Sequence, residues 1–182
     1  MQFKELTIPG VILITPDIYE DGRGFFIESY NKEVFAQNGI NIDFVQDNQS
    51  FSHRNVLRGL HYQLPPFAQD KLVSVIQGSV LDVVVDIRKN SKTFGQHVMV
   101  ELDNKTKQML LVPQGCAHGF LTLSDDVYFQ YKVSDQYSPK HDRGIIWNDP
   151  DLAIDWGVAN PLVSEKDSKL PSWQEIKEDA GF

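Results

Sequence analysis

Two histidine-bearing segments hold most of the chemistry this sequence can offer. Val56-Leu57-Arg58-Gly59-Leu60-His61-Tyr62-Gln63 sets a guanidinium and an imidazole in an otherwise apolar, strand-like run. Pro113-Gln114-Gly115-Cys116-Ala117-His118-Gly119-Phe120 carries a second imidazole at a corner marked by proline and glycine. An unperturbed imidazole titrates near ~6.5, so His61 can accept a proton at neutral pH after a small environmental shift. Arg58 suits a diphosphate through its planar fork of donors, and Lys71 suits an oxyanion as a point charge. Tyr131 is an acid whose phenol reaches a cavity on an apolar stem. These side chains point to an anion clamp beside a proton-transfer group. Each also has an ordinary structural use: a hydrogen-bonded histidine, surface ion pairs for the cations, a core tyrosine with a satisfied hydroxyl.

The elements that must position them are strands. Period-two or continuous apolar runs recur at Val11–Ile14, Phe25–Ser29, Asp43–Asp47, Leu72–Gln77, Val80–Ile87, His97–Leu102, Met109–Val112 and Val127–Val133, with turns such as Asp21-Gly22 and Asp103-Asn104 between them. Many short strands with turn signals predict an antiparallel sandwich or barrel. Helices are expected only at the periphery: Asn31 to Asn38, capped by Asn31 and stopped by Gly39, and Ser172 to Ala180, opened by a Ser172/Glu175 capping box. The polar stretch from Tyr137 to Pro161 reads as ordered loops packed by Trp147 and Trp156, covering one rim rather than forming a second core.

Alternation predicts side-chain direction. Tyr131 shares a face with Val127, Phe129 and Val133 and should point inward. Asp82 and Asp86 fall on the face of Val80 and Val84, which requires either a solvated face or an internal partner for Asp82. Strict alternation would place Arg58 and His61 on opposite faces. A shared cavity therefore needs a local irregularity, and Gly59 is its natural place.

The 182 residues fit one domain spanning 1–182. A net charge of −8 and a pI near 5.0 disfavour nucleic acid or an anionic membrane as partner, so an anionic ligand must meet a local basic cluster. Cys116 is the only cysteine, which rules out an intrachain disulfide and fits a reducing cytoplasm. The N-terminus lacks the apolar core of a signal peptide, and no run reaches transmembrane length. Neither a dinucleotide fingerprint after a strand nor a P-loop is present, so no cofactor is expected.

The two histidine segments resemble the motif regions of cupin β-barrels, many of which bind a transition metal through a His-x-His pair, a glutamate and a later histidine. Here Gln63 replaces the second histidine of the pair, and Lys71 lies where an acidic ligand would be wanted. A cation there opposes divalent binding, so no metal is expected. A metal-dependent cupin enzyme and a catalytically silent sugar-binding jelly roll are the rival readings outside the class argued next.

Asp21–Glu28, Phe44–Asn48, Val56–Gln63, Pro113–Phe120 and Tyr137-Ser138-Pro139 together resemble the dTDP-4-dehydrorhamnose 3,5-epimerase family, from about Leu6 to Leu170. The resemblance implies a metal-free, all-β cupin-type jelly roll, homodimeric, with the N-terminal strand exchanged between subunits. It implies conversion of dTDP-4-dehydro-6-deoxy-D-glucose to dTDP-4-dehydro-β-L-rhamnose, a step of dTDP-L-rhamnose biosynthesis. His61 would be the proton acceptor, Asp167 its hydrogen-bond partner and Tyr131 the proton donor. Lys71 would sit near the 4-keto oxygen with Asp82 beside it. Arg58, His118, Gln46, Asp47, Asn48, Asp142 and Lys166 would bind substrate, and Tyr137 would stack on the thymine. Arg23 and Glu28 would reach in from the partner subunit. Asp142 departs from the glutamate more familiar at its position. A rival within the class inverts only C3 or only C5, or takes another nucleotide sugar.

Overall fold

The structure is a computed structural model describing residues 1–182. In chain order the elements are β1 (Gln2–Glu5), β2 (Ile12–Thr15), β3 (Ile18–Asp21), β4 (Gly24–Ile27), α1 (Lys32–Gln37), β5 (Gln46–His53), β6 (Val56–Gln63) and β7 (Lys71–Gln77). There follow β8 (Ser79–Asp86), β9 (His97–Asp103), β10 (Met109–Val112), β11 (Cys116–Thr122), β12 (Asp126–Val133), β13 (Asp142–Gly144), β14 (Leu162–Val163), a 3₁₀ turn at Asp167–Lys169 and α2 (Trp173–Ile176). One sheet runs β1-β2-β10-β7-β12-β5 and the other β13-β6-β11-β8-β9, with β14 alongside β6. This is the all-β sandwich expected from many short strands, in the jelly-roll form that the epimerase resemblance implies. The β3–β4 hairpin bonds to neither sheet. No helix is long and apolar enough to cross a membrane.

Three apolar clusters hold these layers. Val73, Val75, Leu110, Val127 and Phe129 of the first sheet meet Val80, Val84, Leu102 and Phe120 of the second in the space between the sheets. On the outer face of the first sheet, Ile14, Leu72, Met109 and Leu111 pack against Phe35 of α1 and Ile40. That helix starts where expected, because Asn31 Oδ1 accepts from the Glu33 and Val34 amides at 3.0 and 3.3 Å. Gly39, at φ +81°, follows its C-cap Asn38.

The third cluster corrects an expectation. The loops from Tyr137 onward do not merely cover a rim: Ile145, Leu152 and Trp156 join Trp173 and Ala180 against Leu57, Val83, Val85 and Leu121, forming a second core on the outer face of the second sheet. Trp156 Nε1 donates to the Trp147 carbonyl at 2.8 Å, so its one polar atom is satisfied within that core. The last helix is also shorter than expected, one turn at Trp173–Ile176. Its start is held by the Ser172 amide and hydroxyl, both donating to Glu175 at 2.7 Å.

Two strands differ from their expected positions for a common reason. β5 covers Gln46–His53 rather than Asp43–Asp47, and β11 is a strand from Cys116 to Thr122 directly after the corner. Neither shows apolar alternation. The inward row of β5 is polar, and β11 is buried on both faces between β6 and β8.

Candidate active site

The site forms between the sheets, where β5, β7 and β12 face β6 and β11. The irregularity required at Gly59 is there. His118 pairs with His61 but Phe120 pairs with Arg58, so the β6–β11 register shifts by one residue across this step. Gly59 has φ +122°, and a Cβ on it would lie 2.5 Å from Gly119 Cα and 2.8 Å from the His118 carbonyl. Only glycine fits. The shift brings Arg58 and His61 to one cavity of about 460 Å³, shared with Lys71, His118, Tyr131, Lys166 and Asp167. Its floor is the stacked Phe120–Phe129 pair, with ring centroids 4.1 Å apart.

His61 Nε2 lies 2.7 Å from Asp167 Oδ1, and the Gly59 amide donates to Oδ2 at 3.2 Å. Burial of Asp167 opposes its ionisation, yet the hydrogen bond and charge of His61 and the Gly59 amide outweigh it. Its carboxyl is held below the usual range. An ionised Asp167 fixes the imidazole's orientation and stabilises the imidazolium that forms when the other ring nitrogen takes a proton.

Tyr131 enters from β12, on the inward face that alternation predicts, with Val127, Phe129 and Val133 all buried beside it. Burial raises its phenol pKa; Arg58 pulls it back and Asp142 adds to the rise. It therefore holds its proton at neutral pH and can donate it. Lys71 Nζ donates to the His61 carbonyl at 3.3 Å. Burial pushes its ammonium down to about 8, against the pull of Asp142 and Asp82. It is a cation at pH 7 that is poorly compensated, and a nearby oxyanion would stabilise it.

Asp82 does have an internal partner. His118 Nε2 lies 3.0 Å from both of its carboxylate oxygens, and both residues are buried. Asp86 is satisfied separately by Arg88, Ser91 and Thr93. A second space of about 320 Å³ shares His61, Lys71, Tyr131 and Lys166 with the inner cavity and continues to Gln46, Asn48, Tyr137 and Asp142. There the Tyr137 hydroxyl donates to Asp142 at 3.0 Å, and Lys166 pairs with the same carboxylate. No three His, Cys, Asp or Glu side chains converge as a ligand set anywhere in the structure.

The chain is similar to known proteins along nearly its whole length. A sequence model described as dTDP-4-dehydrorhamnose 3,5-epimerase matches residues 5–175. A dTDP-4-dehydrorhamnose 3,5-epimerase of Shigella flexneri is 52% identical over 168 residues, 92% of this chain and 93% of that protein. The chain belongs to the dTDP-4-dehydrorhamnose 3,5-epimerase family. Among solved structures, the Bacillus anthracis 3,5-epimerase with TDP and PPi bound is 46% identical, with TM-score 0.92 over 94% of this chain and 98% of that one. The Legionella pneumophila enzyme, in complex with dTDP-4-keto-L-rhamnose, is 44% identical, with TM-score 0.92 over 96% and 94% of the two chains.

Of the residues to which the epimerase resemblance assigns roles, the structure brings His61, Asp167, Tyr131, Lys71, Arg58, His118 and Lys166 to the inner cavity, and Gln46, Asn48, Tyr137 and Asp142 to the outer space. Asp82 lies behind His118. Three are elsewhere. The Asp47 side chain is on the outward face of β5, paired with Lys132 at 2.9 and 3.0 Å. Arg23 pairs with Asp21 at the tip of the β3–β4 hairpin, and Glu28 accepts from Asn31 at 3.1 Å. Within one epimerase chain, neither reaches the cavity.

Sequence reasoning missed the part played by Gln63. It is buried, donates to the Phe67 and Gln136 carbonyls at 2.7 and 3.1 Å, and accepts from the Ser138 amide at 2.7 Å. The side chain standing where a metal cupin has its second histidine thus ties the β6–β7 loop to the loop that carries Tyr137. Its signal was available: Gln63 shares the His61 face of β6 and is a polar residue at the end of a buried strand.

Proposed function

We propose that this chain, an isomerase by family, converts dTDP-4-dehydro-6-deoxy-D-glucose to dTDP-4-dehydro-β-L-rhamnose. It would act as a homodimer whose subunits are each one domain over residues 1–182. The observation that carries the reading is one cavity holding a His–Asp couple, a protonated tyrosine and a depressed-pKa lysine. The 4-keto group acidifies the hydrogens on C3 and C5. His61 removes one of them while Asp167 stabilises the imidazolium, and the resulting charge collects on the keto oxygen, where Lys71 meets it. Tyr131 then delivers a proton to the opposite face of the carbon, so the centre inverts. Arg58 clamps the diphosphate with His118 and Lys166, Asp82 orients His118, and the nucleoside extends past Gln46 and Asn48 to Tyr137, with Asp142 holding Lys166. No electron leaves the substrate, so the chemistry needs no redox cofactor, and the Lys71 ammonium takes the place at the keto oxygen that a Lewis-acid metal would fill.

Arg23 and Glu28 would complete the partner's site. The β3–β4 hairpin that carries Arg23 is suited to this, since it bonds to no other strand of its own chain and exposes Tyr19, Phe25 and Phe26. Mixed dimers of Arg23 and His61 variants should regain up to one working site in two. Full loss in such mixtures contradicts the exchange.

The test of the reaction is NMR of chelator-treated protein with dTDP-4-dehydro-6-deoxy-D-glucose in deuterated water. Loss of both the C3 and C5 proton signals with an inverted product supports the 3,5-epimerase. Loss of one alone redirects it to a single-centre epimerase, and loss of neither removes the reading.

A further inference from the structure

The inward row of β5, Gln46, Asn48, Ser50 and Ser52, presents four polar side chains along one wall of the site. Three of them are tied down. Gln46 Nε2 donates to Asn48 Oδ1 at 2.8 Å, and Ser52 Oγ accepts from Arg58 Nε at 3.0 Å. Ser50 lines the inner cavity, yet its Oγ has neither solvent contact nor a hydrogen-bond partner. It is the one buried side-chain nitrogen or oxygen in the structure left in that state. Buried hydroxyls are normally paired, so an orphan in a cavity wall marks a group whose partner comes from a ligand.

Strand pairing locates this hydroxyl along the substrate. Ser50 pairs with Phe129, one inward step from the Asn48–Tyr131 pair. On its other side, Ser52 holds the guanidinium of Arg58. Ser50 therefore lies between the proposed acid and the proposed diphosphate clamp. In a nucleoside-diphosphate hexose, C1 bears the diphosphate and C3 is a reacting carbon. C2 is the carbon between them, and its hydroxyl both donates and accepts.

We propose that the Ser50 hydroxyl binds the C2 hydroxyl of the pyranose and makes the site selective for that sugar over its 2-deoxy counterpart. The proposal deepens the epimerase reading and rests on it. A rotation about χ1 between staggered positions swings Oγ toward the ligand without breaking a hydrogen bond, because Oγ has none to break. The contact pins the ring between its two ends and so helps hold C3 in line with His61 and Tyr131.

The experiment compares wild type and Ser50→Ala on dTDP-4-dehydro-6-deoxy-D-glucose and on dTDP-4-dehydro-2,6-dideoxy-D-glucose, with thermal unfolding of both free proteins. Wild type should prefer the 2-hydroxy sugar by about tenfold in kcat/KM, as one hydrogen bond allows. The variant should lose about that factor on the 2-hydroxy sugar alone, with its unfolding midpoint unchanged or raised. An equal loss on both sugars, or no loss on either, overturns the proposal. Wild type that epimerises neither sugar fails the epimerase reading itself and takes the proposal with it.

Discussion

Two His–Asp pairs meet at the cavity, and they differ in where they stand rather than in what they are made of. His61 and Asp167 meet at 2.7 Å with 30% of the imidazole side chain exposed to the cavity and 5% of the carboxylate. His118 and Asp82 meet at 3.0 Å with 8% and 0% exposed. The first joins β6 to a 3₁₀ turn 106 residues away, and the second joins neighbouring strands β11 and β8. An imidazole with one nitrogen held and the rest open to a ligand can exchange protons with it. An imidazole buried in the cavity wall near Phe129, its Nε2 held by a buried carboxylate, can contact a ligand and stiffen a sheet. The pairing chemistry is shared, and access separates the base from the anchor.

That contrast can be broken directly. His61→Ala should lower kcat by about 10³-fold, within the range general-base removal produces, with a smaller loss of stability because the Gly59 amide still holds Asp167. His118→Ala should do the reverse in kind. It strands the buried Asp82 carboxylate, so the expected loss is about 3 kcal/mol of stability by denaturant titration, with the kinetic defect mainly in KM. Equal stability losses for the two variants would dissolve the distinction.

The next effect is a pH limb. Lys71 loses its proton near 8, so kcat/KM should fall as pH rises through that value, and Lys71→Met should remove activity without restoring any alkaline limb. The sign for stability is opposite to that for activity. The unfolded lysine keeps its proton to about 10.5 while the folded one releases it near 8, so in this window the unfolded state binds more protons. The contribution of Lys71 to folding stability therefore improves from pH 8 upward, and a pH–stability series on wild type and Lys71→Met isolates it. The smallest effect belongs to Gln63. Gln63→Ala should raise KM about tenfold with little change in kcat, since it loosens the loop that carries Tyr137 rather than the reacting groups.

The sequence made the catalytic geometry more legible than the walls around it. Tyr131 could be turned inward by counting, because Val127, Phe129 and Val133 share its face and alternation in a half-buried strand is strict. Gly59 could be singled out because Arg58 and His61 cannot otherwise face one space, and the register shift against β11 is the device found there. What escaped was structure whose pattern the site itself had altered. β5 hides from a hydrophobic count because its inward residues line a polar cavity, and β11 hides because both of its faces are buried. The Trp147–Trp156 loops were underestimated since their apolar residues are scattered in sequence and meet only when folded against Leu57, Val83 and Leu121. Asp167 and Asp142 owed their identification to family resemblance, because nothing in local pattern links a residue of the 3₁₀ turn to His61.

The most direct test of opposed base and acid is solvent exchange of the substrate C3 and C5 hydrogens in deuterated water, measured in parallel with inversion for His61→Ala and Tyr131→Phe. The account predicts that Tyr131→Phe still exchanges these hydrogens while inversion falls by about 10²-fold or more, and that His61→Ala does neither. Exchange by His61→Ala at the wild-type rate would contradict it.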